Sequence, residues 1–201
     1  AAMPQQPGPT RSARRDGLRG LLGLGLAATW GSVRAATVPA ELLEPLRAGG
    51  CVLMVRHART DPGVGDPPGY RLDVCGSQRN LSDVGRTQAE RIGAGLRDAG
   101  VVIGPVRSSR WCRCLDTARL AFGRVEPWPV IDSFFDRRDA EPAQTRALRA
   151  WALGFKGPAN AALVTHQVNI TALTGESTSM GEVLVLRPAG GALQLLGRFG
   201  G

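Results

Sequence analysis

His57 and His166 are the only two histidines among 201 residues, and each ends an apolar run. Val52-Leu53-Met54-Val55 leads through Arg56 into His57, and Ala161-Ala162-Leu163-Val164-Thr165 leads into His166. Imidazole is the side chain that can act as nucleophile, acid or base near neutral pH. Arg56 adds a second demand, because a guanidinium at the end of a buried run is costly unless an anion sits beside it. The pattern therefore asks for an anion next to Arg56, either fixed in the protein or arriving with a ligand.

Those side chains need elements that bring them together. Cys51 to Arg56 is a continuous apolar and β-branched run of the kind buried on both faces of a parallel sheet. A helix over residues 41 to 48 precedes it. A Pro/Gly/Asp-rich loop of about 20 residues, from Thr60 to Asn80, follows, long enough to carry function. A helix then starts at the N-cap Ser82 and carries Val84, Ala89, Ile92 and Leu96 to Gly100. Val101 to Ser109 is a second strand broken at Gly104-Pro105, and Trp111 to Gly123 is a helix. Trp128 to Ile131 is a short third strand, Ala143 to Phe155 an amphipathic helix, and Asn160 to His166 a fourth strand. A short helix from Val168 and two last strands, in Gly181 to Pro188 and Ala192 to Phe199, complete the chain. Strands alternating with helices predict an α/β fold, a three-layer α/β/α arrangement around a central, mainly parallel sheet. Ligands in such folds gather beyond the carboxyl ends of the strands. Arg56, His57 and His166 all stand at such ends, 109 residues apart in sequence and adjacent in space on this reading.

Four stretches, in order, resemble the histidine phosphatase (phosphoglycerate mutase-like) superfamily over roughly residues 51 to 187. "LMVRHART" resembles the Arg-His-Gly signature after the first strand, and "NLSDVGRTQA" the Leu-Thr-x-x-Gly-x-x-Gln-Ala segment. "SSRWCRCLDTA" resembles Ser-Ser-Pro-x-x-Arg-x-x-x-Thr-Ala, and "ALVTHQVN" the strand that delivers a second histidine. The resemblance implies that His57 takes a phosphoryl group in line and that water then hydrolyses the phosphohistidine. Arg56 and Arg113 would bind the non-bridging oxygens bidentately, and His166 would stabilise the charge of the transition state. Arg59 and Thr60 are further candidates for phosphate contact. No metal or organic cofactor is implied.

Three positions depart from that pattern. Ala58 replaces the glycine of Arg-His-Gly. Gln167 follows His166 where an Asp would be the acid in the phytase-like branch, and the Glu expected after the third strand is absent. "IDSFFDRRDAE" offers Asp132, Asp136, Asp139 and Glu141 instead, of which Asp136 is the favoured general acid, with Glu182 outside that segment as another candidate.

Residues 1–35 read as an export signal: a basic n-region with Arg14-Arg15, a short Leu/Gly/Ala stretch, and small residues up to Ala35. The arginine pair resembles a twin-arginine signal. Cleavage near Ala35 would leave a histidine phosphatase domain over 36–201 in the periplasm or outside the cell. It would remove five Arg and one Asp, taking the net charge from +8 to +4. That balance suits a small phosphorylated substrate or a phosphorylated envelope glycan, and no aromatic-basic pattern points to nucleic acid. No segment of the mature chain approaches the roughly 18 apolar residues of a membrane span. Cys51, Cys75, Cys112 and Cys114 permit disulfides in an oxidising compartment, with Cys75 to Cys112 or Cys114 preferred and buried free thiols as the equal alternative. The leading expectation is an exported phosphomonoesterase. The alternatives are a weakly active or non-catalytic phosphate-binding protein on the same fold, and a metal or redox site built on Cys112-x-Cys114.

Overall fold

The computed structural model describes Ala2 and residues 35–201, so the export segment expected at residues 1–35 falls almost wholly outside the described residues. Its central strand β1 is Val52–Arg56, buried over its first four residues. In chain order the other strands are β2 Ile103–Ser108, β3 Glu126–Pro127, β4 Asn160–Thr165, β5 Glu182–Ala189 and β6 Ala192–Gly200. They form one sheet in the order β3-β2-β4-β1-β5-β6. β3, β2, β4 and β1 run parallel, while the β5–β6 hairpin closes the β1 edge antiparallel.

Successive strand residues point to opposite faces, and the two faces carry separate cores. Leu53 and Val55 pack with Leu42 and Leu46 of α1 (Ala40–Ala48), Ile92 and Leu96 of α2 (Asp83–Asp98), and Cys114 and Ala118 of α3 (Cys112–Phe122). Val52 and Met54 pack with Leu148 and Ala152 of α4 (Glu141–Gly154) and Ile170 and Leu173 of α5 (Gln167–Thr174). The expected three-layer α/β/α architecture with a mainly parallel sheet is therefore the one observed. No helix among the described residues is long and apolar enough to cross a membrane.

Two local expectations are corrected. The third strand is Glu126–Pro127, and Pro129–Ile131 is a turn of 3₁₀ helix. Pro129 has no N–H to give a ladder and its fixed φ suits a helix start. Ile131 remains buried, so the apolar run marks core and not strand. Val84 is 63% exposed, and Gly85 takes the inward position beside it: a Cβ there would lie 1.8 Å from the Arg59 carbonyl oxygen. That contact explains the glycine physically, because α2 crosses directly against the backbone that follows His57.

Candidate active site

The register of β1 and β4 pairs Arg56 with Thr165, so the next residues, His57 and His166, emerge side by side. Their rings meet edge to face with centroids 5.5 Å apart. β2 lies on the other side of β4, with Ser108 paired to Val164, and Arg113 follows on the first turn of α3. Three adjacent strand ends thus converge on one cavity of about 390 Å³, lined by Arg56, His57, Asp66, Arg79, Arg113 and His166, with Val64, Phe135 and Asp136 also on its lining.

His57 is a neutral imidazole with one nitrogen committed. Its Nδ1 lies 2.9 Å from the Ala58 carbonyl oxygen, which can only accept, so Nδ1 carries the proton and Nε2 keeps its lone pair. Burial, with Arg113 and Arg56 nearby, pushes its pKa down to about 3. His166 is held well below the usual range by the same two causes, burial first and Arg113 second. Its Nε2 lies 2.8 Å from the Ser109 hydroxyl, which also reaches Asp132 at 3.3 Å. Ser109 has one proton, so the single proton of the neutral ring sits on Nε2 when Ser109 donates to Asp132 and on Nδ1 when Ser109 donates to Nε2.

Backbone anchors hold the histidine loop in place. Thr117 of α3 accepts from the Ala58 N–H at 3.0 Å and donates to the Arg113 carbonyl at 2.7 Å. Gln88 of α2 accepts from the Arg59 N–H and donates to the Met180 carbonyl. The Gly, Gln and Thr of the sequence motifs therefore fasten the residues after β1, and stand outside the cavity lining themselves.

The arginines carry the anion-binding capacity. Arg56 donates through Nη1 to Gln167 Oε1 and to the Thr178 carbonyl, and Gln167 Oε1 is fixed in turn by the backbone and hydroxyl of Thr178. Arg113 donates to Asp66 at 2.7 Å, both side chains about 5% exposed or less. Arg79, which the sequence reading passed over, lines the same cavity. The Nε atoms of Arg56, Arg79 and Arg113 are all buried with no partner among the described residues. Unmade buried donors of this kind are costly, and three guanidinium groups lining one cavity give it the charge to attract an oxyanion. Burial and mutual repulsion lower the pKa of Arg56 and of Arg79, which an arriving anion would relieve.

The structure brings Arg56, His57, Arg113, His166 and Asp136 to this cavity. It places Arg59 on the surface and Thr60 half-buried, its hydroxyl 3.8 Å from Met180 Sδ, both outside the cavity lining. Asp132 is buried and bound by Arg110 through backbone and guanidinium, so Arg110 turns away from the cavity. Glu182 accepts from the Ser179 N–H and pairs with Arg198. Cys75 and Cys112 form a disulfide, so Cys112 offers no thiolate to a metal. Cys114 is buried and its thiol is pushed up to about 12, chiefly by burial.

No protein-family model and no curated protein sequence matches the chain. Solved structures do. A protein of Escherichia coli K-12 proposed to be an α-ribazole-5′-P phosphatase superposes with a TM-score of 0.57 at 15% identity, covering 76% of this chain and 97% of its own. A mycobacterial glucosyl-3-phosphoglycerate phosphatase gives 0.55 at 19% identity, covering 72% and 96%. The protein histidine phosphatase SixA, complexed with tungstate, gives 0.52 at 15%, covering 75% and 96%. The chain has the histidine phosphatase fold. Within that fold, the sequence reading passed over Asp66 and Arg79, and noted Gln167 only as the residue in place of an acid, not as the partner of Arg56. Only Gln167 carried a signal, as the side chain directly after His166. Asp66 and Arg79 lie in or beside the Pro/Gly loop, where no periodicity shows which side chains turn inward.

Proposed function

We propose that the protein is an exported phosphomonoesterase that hydrolyses small phosphate esters through a phosphohistidine on His57. One observation carries the reading: a neutral histidine with a free Nε2 lone pair stands among three guanidinium groups whose buried Nε donors have no partner among the described residues. The Nε2 lone pair attacks phosphorus as the P–O ester bond breaks, while Nδ1–H stays on the Ala58 carbonyl. Arg56, Arg79 and Arg113 take the charge of the non-bridging oxygens, and His166 donates its N–H to the same group. Water then attacks phosphorus and gives a proton to the carboxylate left by the leaving-group acid, the N–P bond breaks, and neutral His57 is restored as phosphate leaves. These charges come from the protein's own cations, so no step is routed through a metal.

The leaving oxygen needs a proton, and we assign that role to Asp136 at the cavity. Asp132 is locked to Arg110 and Asp66 is held ionised by its N–H donors. The names of two structural neighbours, a protein histidine phosphatase and a glucosyl-3-phosphoglycerate phosphatase, support phosphoryl hydrolysis. A cavity of about 390 Å³ suits a phosphate with a small organic body or the phosphorylated end of an envelope glycan. Export is supported by the composition of residues 1–35 and by the Cys75–Cys112 disulfide, which suits an oxidising compartment. A second reading, phosphate binding with little turnover, is favoured by the exposure of Asp136.

The test is hydrolysis of an aryl and an alkyl phosphate by residues 36–201 without added metal, comparing the unmodified chain with His57→Ala and Asp136→Ala. His57→Ala should lose at least about a thousandfold on both substrates. Asp136→Ala should lose little on the aryl ester, whose leaving group needs no proton, and about a hundredfold on the alkyl ester. An unmodified chain that binds phosphate without turnover would decide for the second reading.

A further inference from the structure

Asp66 is the buried carboxylate of the cavity, and its position is built. Oδ1 accepts from Arg113 Nη1 at 2.7 Å and from the Arg79 backbone N–H at 3.0 Å, and Oδ2 accepts from Trp111 Nε1 at 2.9 Å. A carboxylate with three N–H donors is a committed acceptor, so it is not a proton donor to a leaving group. Nor does it take up all of Arg113. It occupies the Nη1 corner, while Nε on the opposite edge is buried and unpartnered among the described residues. The guanidinium is planar and rigid, so fixing one corner fixes the direction of the Nε–Nη2 edge. The same carboxylate holds Trp111, whose ring meets that of His166 edge-on at 5.2 Å.

We propose that Asp66 is a positioning residue of the phosphate site: it pins Arg113 by Nη1 and Trp111 by Nε1, so that the Nε edge of Arg113 and the ring of His166 face the phosphoryl group. It also sets the charge of the site. Three arginines against Asp66 and Asp136 on the same lining leave the cavity net positive whichever state Asp136 is in, which suits an anion. This inference rests on the phosphatase reading above only for its substrate; its contacts with Arg113 and Trp111 stand by themselves.

The experiment is a double-mutant cycle of Asp66→Asn with Arg113→Ala, read as kcat/KM on an aryl phosphate and as Kd for inorganic phosphate by calorimetry. Asp66→Asn is nearly isosteric and should lower kcat/KM about tenfold, but should add only about the threefold of the Trp111 contact when Arg113 is already alanine. Trp111→Phe keeps a ring against His166 and deletes only the N–H. It should lose about threefold and add nothing to Asp66→Asn, so the idea stays testable if Asp66→Asn folds poorly. Losses that multiply across the cycle, or kcat/KM unchanged in Asp66→Asn, would overturn the proposal and leave Asp66 a loop anchor. If the unmodified chain binds phosphate but does not turn over, the phosphatase reading fails while the Kd cycle still decides the role of Asp66. A chain that does not bind phosphate at all overturns both.

Discussion

The floor of the cavity and its wall are held by different physics. On the floor, His57 and His166 follow paired residues of adjacent parallel strands, and β-sheet register sets their separation. On the wall, Asp66 and Arg79 hang from a segment with little regular structure. Its inward face is fixed by the Cys75–Cys112 disulfide, by Gln78, which accepts from the Cys112 N–H and donates to the Arg71 and Leu72 carbonyls, and by Asp66 itself. Its outer tip is free enough that Val64 is 89% exposed. A floor set by a sheet serves any phosphoryl group, whereas a wall set by a loop can be re-cut without disturbing the sheet.

Arg113 joins the two regions, since it grows from α3 behind the floor and bonds Asp66 of the wall. Arg113→Ala should cost about a hundredfold to a thousandfold in kcat/KM on an aryl phosphate, the usual loss of a preorganised transition-state donor. Arg113→Lys should recover little of it, because an ammonium cannot pin Asp66 and fork a phosphate at once. A lysine variant within threefold of the unmodified chain would mean that floor and wall work independently.

The sheet was legible in the sequence because its residues obey period and burial together. Val52 to Val55 could only be a buried strand, and the two histidines at strand ends followed from the alternation of strands and helices. The wall was not legible for a matching reason. "GVGDPPG" has no period, so nothing distinguishes the inward Asp66 from the exposed Asp73. The demand for an anion beside an arginine was readable, but the fixed anion lies beside Arg113 and not beside Arg56. The third strand was misplaced by an apolar run, Trp128 to Ile131, of which only Ile131 is buried and whose Pro129 has no N–H to give the ladder. Arg59 and Thr60 followed His57 closely in sequence, yet the Gly85 contact turns that backbone toward α2 and takes both side chains out of the cavity lining.

The disulfide offers the next largest effect, now on the wall alone. It spans 37 residues, and bridges of that span stabilise by about 2–4 kcal/mol. Cys75→Ser with Cys112→Ser should lower Tm by roughly 5–15 °C. It should also raise KM more than it lowers kcat, since the wall loosens while the register of β1 and β4 is untouched. Thermal scans and steady-state kinetics with and without reductant would check it. An equal loss in kcat would show that the floor depends on the bridge.

Acid tests the floor with a smaller and opposite selectivity. His57 and His166 are neutral in the fold with pKa values lowered from 6.5, His57 to about 3. The unfolded chain therefore binds more protons between those limits, so stability is fully present above about pH 6.5 and falls as pH drops toward about 3. Asp66, lowered from 3.8 by its Arg113 bond against the opposing effect of burial, stabilises above that value and is lost only below it. Tm should thus decline between pH 6.5 and 4.5 before the wall contributes, and His57→Asn should flatten that slope by removing one of the two groups. A slope that is the same in His57→Asn would place the acid sensitivity elsewhere.

The smallest expected effect separates the two regions most cleanly. Val64 and Phe135 both line the cavity and are 89% and 47% exposed. An organic leaving group wider than phosphate would cover part of both side chains. Burying a fraction of a valine gives about 0.5–1 kcal/mol, so Val64→Ser should raise KM for an aryl phosphate about two- to fivefold. Because inorganic phosphate carries no body to reach the rim, its inhibition constant should stay the same, and kcat should stay with it. Equal shifts in KM and in phosphate inhibition would mean that the tip of the loop reports on the floor after all, through the Asp66 bond two residues away. The ratio of the two shifts therefore measures how far the wall acts as a separate specificity element.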